Sequence, residues 1–320
     1  MKKLIIMAAA FTLLSLTLSA SFSPAWLDKC QVVESPAIYV QGWDKLPQVR
    51  FWKETMATSS DSFLINEPVT RTLVGKVSRM KWEFMSGAKR QLMLDGFRKR
   101  FNIAPNTRLV FTEGRKEYYN PSPVLSNISK AIEVFEQSGV DPWYAQAILL
   151  IESPGQIRRS EVGAYGPFQL MPSIARAYGL QVDGRVDERA DLHRSARAAA
   201  RLIQESCIPL TARMLDRKGI AYSQDDLWFK VLALHVYHAG SGNVSKALSS
   251  IRQPQYGMNL LAQLWNAEAG GFRNASQNYG PIALAALLQL DELLHHSFSP
   301  ICQKETKLGK SRICTFQKRS

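Results

Sequence analysis

Glu152 closes an almost wholly apolar run, Trp143-Tyr-Ala-Gln-Ala-Ile-Leu-Leu-Ile-Glu152-Ser153. A helix apolar on nearly every face is usually buried. A carboxylate at its end would sit where the protein gives way to a cleft. Partial desolvation there raises its pKa and keeps it protonated near neutral pH, which is the condition for a general acid. On this feature alone, a surface Glu at a helix end is the competing reading. Three later stretches carry further chemistry. Gly163-Ala-Tyr-Gly-Pro-Phe-Gln-Leu-Met-Pro172 sets two glycines among aromatics, so backbone can pass close to a ligand. Within it, Gln169 can hydrogen-bond sugar hydroxyls or acetamido groups. Val236-Tyr237-His238-Ala239-Gly240-Ser-Gly242-Asn243 places an aromatic hydroxyl just before a flexible loop, and Asn278-Tyr279-Gly280 precedes a last apolar run. Taken singly each is weak, since Gly-rich turns are common and a Tyr at a helix end more often packs.

These residues need elements to hold them. Asp141-Pro142 is a helix start, with Asp to cap the free N–H groups and Pro in the first turn. Ile128, Ile132 and Phe135 share one helical face, and Gly139 is a stop. Asp191 can cap a segment from Leu192 to Ser206, with Ala196, Ala199, Leu202 and Ile203 as its stripe. Ser223 precedes an apolar segment, Leu227 to Tyr237, interrupted by Lys230 and His235. A short helix follows Gly240-Ser-Gly-Asn243, Pro172 suits a helix start, and Pro281 opens a helix from Ile282 to Leu294. Asn120-Pro-Ser-Pro123 marks a boundary. Everything beyond it reads as all-α, so the expected fold is mainly α. Residues 26–120 give no functional reading. Trp43, Phe51 and Trp52 suit a small core, and Leu109-Val-Phe111 a short strand. Val77 to Arg100 mixes apolar and basic residues at helical spacing, with Arg98-Lys99-Arg100 as a solvated face.

The N-terminus reads Met1-Lys2-Lys3, then an uncharged stretch from Leu4 to Leu18, then small residues. This is the three-part pattern of a secretory signal peptide, here residues 1–25, and it is short against the roughly 20 residues of a membrane span. An exported protein of the periplasm or cell envelope, or a secreted one, is expected, with an uncleaved N-terminal anchor as the alternative. Cys30, Cys207, Cys302 and Cys314 allow two disulfides in three pairings. Cys302 with Cys314 would close a short tail loop and leave Cys30 with Cys207. The scattered His193, His235 and His238 lack ligand spacing, so neither metal nor cofactor is expected. Hydrophobic residues make up 46% of the 320, enough for a sizeable core, and the net charge is +13. A basic exported protein suits anionic polymers: cell-wall glycan bearing peptide carboxylates, lipopolysaccharide or phospholipid surfaces. Nucleic acid would attract it too, but the expected compartment argues against that partner. The basic tail, residues 299–320, reads as solvated or as a dock on an anionic wall or membrane surface.

In this order and at these separations the motifs together resemble the family 1 lytic transglycosylases, related to soluble lytic transglycosylase and goose-type lysozyme. That family shows Glu-Ser, then Gly-Ala-x-Gly-(Leu/Met)-x-Gln-x-Met-Pro, then Ala-Tyr-Asn-Ala-Gly-x-Gly-x-Val, then a Tyr near the start of a last helix. Here these stand as Glu152-Ser153, Gly163 to Pro172, Val236 to Val244, and Tyr279. The stretch from Tyr178 to Leu202 looks most like the membrane-bound D-type branch. Two departures stand out: His238 replaces the family's Asn, and Pro154 follows Ser153, where the family has a longer lead into a Phe.

The resemblance implies a lysozyme-like α-helical catalytic domain over residues 121–298, after a small N-terminal region. It implies cleavage of the MurNAc–GlcNAc β-1,4 bond of peptidoglycan. Glu152 would protonate the leaving oxygen, then as carboxylate take the proton from the C6 hydroxyl as it closes onto C1, giving a 1,6-anhydro end. One acid/base then suffices, where ordinary glycosidases use two carboxylates. Ser153 would orient Glu152, while Gln169, Met171, Tyr237, His238 and Tyr279 would line the cleft. Glu161, Asp183, Asp187, Glu188 and Asp191 keep a water-activating base, and so a muramidase, open. Asp191 is better explained as a helix cap. A non-catalytic peptidoglycan-binding protein is the third reading, and it would not need Glu152.

Overall fold

The computed structural model describes residues 30–152, 159–305 and 312–318. The signal-peptide reading of residues 1–25, and the readings of Ser153 and Pro154, lie outside the described residues. The first elements are β1 (Cys30–Glu34), α1 (Ala37–Val40) and α2 (Pro47–Ala57). Next come β2 (Ser62–Asn66), β3 (Leu73–Ser78), α3 (Arg79–Glu83), α4 (Gly87–Arg100) and β4 (Val110–Glu113). The helical body is α5 (Leu125–Gln137), α6 (Trp143–Glu152), α7 (Pro172–Ala177), α8 (Leu192–Leu202), α9 (Ile208–Asp216), α10 (Leu227–Ala239), α11 (Ser241–Ser250), α12 (Met258–Trp265) and α13 (Asn274–Ser297). β5 (Phe298–Glu305) and β6 (Arg312–Lys318) follow it.

The body is mainly helical, as expected. α6 is buried from Trp143 to Ile151 and packs between α5 and α13. Its start follows the local code: Asp141 Oδ1 accepts from the Trp143 N–H at 2.9 Å. α5 turns Ile128, Ile132 and Phe135 into the same core, and Gly139 follows it at φ +72°. Asp191 Oδ1 caps α8 through the Arg194 N–H at 2.8 Å. A π-helical turn, Ile203–Cys207, then joins α8 to α9. Lys230, an oddity in the apolar α10, is buried against Asp141, with Nζ 2.5 Å from Oδ2. This ion pair ties the start of α6 to α10.

Two expectations of helix ends are corrected. α11 begins at Ser241 rather than after Asn243. Pro281 lies inside α13 rather than at its start, so Tyr279 is a helical residue. The polar run before Pro281 is helical because its side chains find partners: Asn278 Nδ2 donates to the Asn274 carbonyl at 2.6 Å, and Trp52 Nε1 donates to Asn278 Oδ1 at 2.9 Å.

The first hundred residues do two things. Trp43 is fully buried in the main core, with its ring 6.4 Å from that of Trp265, and Trp52 packs against that core. The expected small core around them is therefore corrected. A distinct small core forms instead where Ile65, Val74, Val77 and Leu109 meet Trp82 and Phe97, on an antiparallel sheet of order β3-β2-β4. The other sheet, β1-β6-β5, is also antiparallel and joins the two ends of the described chain, Cys30 facing Phe316. The segment read as a basic tail thus supplies two strands. Cys302 and Cys314 are bonded, as expected. Cys30 and Cys207 are both buried but not joined to each other, which corrects the second pairing. One lies on β1 and the other in the π-helical turn. Among the described residues, no helix is long and apolar enough to cross a membrane.

Candidate active site

α6 delivers Glu152 half-buried at its C-terminal end. Loss of hydration raises its carboxyl from 4.5 to about 7, against the opposing effect of a hydrogen bond from Tyr279. That bond runs from the Tyr279 hydroxyl to Glu152 Oε1 at 2.8 Å. Tyr279 is itself 3% exposed, and burial foremost, with Glu152 nearby, holds its phenol well above its ordinary pKa. The His238 ring stacks on the Tyr279 ring, centroids 4.2 Å apart and planes within 20°. Loss of hydration depresses the imidazole pKa to about 4. α13 can approach this closely because residue 280 is glycine: a Cβ there would lie 2.6 Å from His235 Nε2. His235 is buried and accepts from Trp265 Nε1 at 2.9 Å, and burial drives its pKa down to about 3.

The glycine-rich stretch forms a tight antiparallel turn in which Tyr165 and Leu170 bridge. Gly166 sits at φ +86°, and a Cβ there would fall 1.8 Å from the Arg189 carbonyl oxygen, so only glycine fits. Gln169 is also left-handed, at φ +45°, and its Nε2 donates to the Gly166 carbonyl at 3.0 Å. Met171 precedes α7 and is 38% exposed, while Pro172 opens that helix. Tyr237 on α10 donates from its hydroxyl to the Phe168 carbonyl at 2.7 Å. It lies close enough to Glu152 for that charge, after burial, to raise its pKa. Glu152, Tyr237, His238 and Tyr279 therefore come together, with the turn bearing Gln169 tied to them through Phe168.

Sequence reasoning missed two neighbours. Arg189 is fully buried and clamps the glycine-rich turn, donating from Nη1 to the carbonyls of Gly163 and Leu170, both at 2.8 Å. Its charge is met by Asp187, whose carboxyl it holds down at about 2. A lone Arg inside an acidic run was the available signal. Tyr119, at the end of the N-terminal region, is 8% exposed, and burial foremost pushes its pKa up to about 12 with Glu152 contributing.

Apart from Glu161, the other carboxylates named from the sequence are engaged elsewhere. Asp183 accepts from Gln181 Nε2 and the Arg185 N–H, both at 2.7 Å. Glu188 accepts from the Gln181 N–H at 2.8 Å and pairs with Arg194. Asp191 caps α8, and Glu161 is exposed.

No curated protein matches the chain. A family model, the Transglycosylase SLT domain, matches residues 129–257, the span that holds Glu152, Gln169, Met171, Tyr237 and His238. Residues 129–257 thus carry the transglycosylase domain of lytic transglycosylases, enzymes that act on peptidoglycan.

Proposed function

We propose that the enzyme cleaves the MurNAc–GlcNAc β-1,4 bond without water, with Glu152 as its single general acid/base. One observation carries this reading: a carboxyl raised to about 7, at the end of a buried helix, with a tyrosine hydroxyl on one oxygen. Such a group is substantially protonated at neutral pH and can give its proton to the leaving GlcNAc O4. The positive charge that develops at C1 is met on the same side by the Glu152 carboxylate. That carboxylate then removes the proton of the C6 hydroxyl as O6 bonds to C1. The glycosidic C1–O4 bond breaks, the O6–C1 bond forms, and Glu152 ends protonated, as it began. Tyr279 holds Glu152 in place. Tyr237, tied to Phe168, fixes the turn bearing Gln169, whose amide meets acetamido groups. His238 and Met171 line the cleft, and Ser153 orients Glu152.

The engagement of Asp183, Asp187, Glu188 and Asp191 in local bonds supports a mechanism without a second carboxylate. The substrate puts the enzyme in the cell envelope, in keeping with the leader-like N-terminus, and the net charge of +13 suits an anionic wall. The test is mass spectrometry of digested sacculi. Anhydro-muramyl ends are expected, and reducing MurNAc ends would make the enzyme a muramidase instead.

A further inference from the structure

A second pocket, of about 440 Å³, opens where the β2–β3 turn and the start of α2 face the junction of α12 and α13. Its size lies within the roughly 300–1,000 Å³ of small-ligand sites. Arg71 enters it from the turn, in a left-handed backbone at φ +59°. Ordinary side chains rarely adopt that conformation, and it persists only where the surroundings impose it. Glu67 imposes it: its carboxylate accepts from the N–H groups of Val69 and Thr70, at 3.0 and 2.6 Å, and from the Thr70 hydroxyl at 2.7 Å. Glu67 is thereby spent on the turn.

The Arg71 guanidinium is left with little. It makes one long hydrogen bond, 3.3 Å to Asn274 Oδ1, and lies 5.4 Å over the Phe51 ring. Among the described residues no carboxylate comes within ion-pair distance of it; burial disfavours its charge, and the attraction of Glu67 offsets that only in part. Gln48, in the first turn of α2, is 6% exposed and lines the same pocket. A half-buried guanidinium is costly unless something satisfies it. Glu268 lines the pocket too, exposed and without a cation among the described residues. Asn266 and Gln277 spend their Nδ2 and Nε2 groups on backbone carbonyls, which leaves their side-chain oxygens as acceptors.

We infer that this pocket binds a zwitterionic peptide: a carboxylate on Arg71, an ammonium on Glu268, and peptide groups on Gln48, Asn266 and Gln277. A simple anion would meet Glu268 and a simple cation would meet Arg71, so the pair selects a ligand carrying both charges. The peptide arm of peptidoglycan, with a diamino acid, has this chemistry. That identification rests on the proposed function. The pocket is placed to use it, because Gln277 and Asn278 line it and the next residue, Tyr279, bonds to Glu152. A glycan passing Glu152 would then be held by its peptide as well as its sugars.

The test is calorimetric titration of the full chain with a wall stem peptide whose diamino acid is free. Saturable binding is expected, weakened about tenfold or more by Arg71→Asn, which removes charged hydrogen bonds while Asn tolerates the left-handed turn. Acetylating the peptide's free amine should weaken binding comparably. Glu268→Gln, at an exposed position, should abolish the distinction between free and acetylated peptide. Absence of binding at millimolar peptide, or wild-type affinity for the free peptide in either variant, would overturn the inference. Sacculus digestion by the wild-type chain separates the two ideas. Anhydro ends without peptide binding would sink the pocket alone, and peptide binding without anhydro ends would sink the cleavage mechanism alone.

Discussion

Glu152→Gln separates the acid's chemistry from its burden on the fold. The folded carboxyl titrates near 7 against 4.5 for a free side chain. Between those values the unfolded chain has shed its proton while the folded chain keeps it, so stability falls as pH rises through the window. Above pH 7 the full penalty applies. At about 1.4 kcal/mol per pH unit it is about 3 kcal/mol, and partial access of solvent trims it to about 2–3 kcal/mol. Glutamine carries no charge at any pH and still offers Oε1 to the Tyr279 hydroxyl. The variant should therefore match the wild type near pH 4 and exceed it by about 2–3 kcal/mol at pH 8. Urea unfolding of both proteins at the two pH values measures this difference, and other titrating groups cancel. The same variant should release no anhydro ends from sacculi. A stability difference that is the same at both pH values would mean that Glu152 is an ordinary carboxylate. It would then lack a proton to give at neutral pH, and the acid role would fail even if the variant were inactive.

Tyr279→Phe removes the bond that opposes the upward shift of Glu152, so the alkaline limb of the rate profile should move above pH 7. kcat should drop about tenfold or more with the loss of a charged hydrogen bond; an unmoved limb would refute the coupling. Gly166→Ala drives a Cβ to within 1.8 Å of the Arg189 carbonyl oxygen at a positive φ. A loss of about 3 kcal/mol or more is expected, read as a lowered Tm. An unchanged Tm would show that the turn can relax. Lys230→Met strips the buried cation from Asp141, at a cost of about 3–5 kcal/mol by urea unfolding. Adding Asp141→Asn should recover part of that loss, and no recovery would place the effect in packing rather than charge.

What could be read from the sequence follows the range of the forces. α6 was legible to its ends because the Asp141 cap, the apolar run and the closing Glu152 lie within a dozen neighbouring residues. The Asp191 cap and Gly139 were legible for the same reason. The start of α13 was not. Its first turns are polar, and the partners that make them helical include Trp52, far away in the chain. Arg189 was missed because its neighbours Asp187 and Glu188 drew attention only as candidate bases. Its burial depends on two carbonyls that reach it only once the glycine-rich turn has folded over it. The β1-β6-β5 sheet had no local signal at all, since β1 and β6 come from opposite ends of the described chain. The cleft was legible as a set of residue types, and its positioning network was not.

That distant sheet bears on the site through one side chain. Between Trp143 and Ile151, α6 has a single amide, Gln146, which is 2% exposed. Such an amide is costly in a core unless both its ends are bonded. β1 bonds both: the Val33 N–H donates to Gln146 Oε1, and Gln146 Nε2 donates to the Val33 carbonyl, each at 2.8 Å. Turning α6 by one residue would rotate Gln146 by about 100° and break the two bonds together. Apolar neighbours could repack after such a turn, because dispersion is not directional, but the amide pair could not. β1 is held in turn by β6, and the Cys302–Cys314 bond joins β6 to β5. The two ends of the described chain therefore fix the rotation of the helix that carries Glu152. A segment with no chemistry of its own thus helps set the direction in which the acid points.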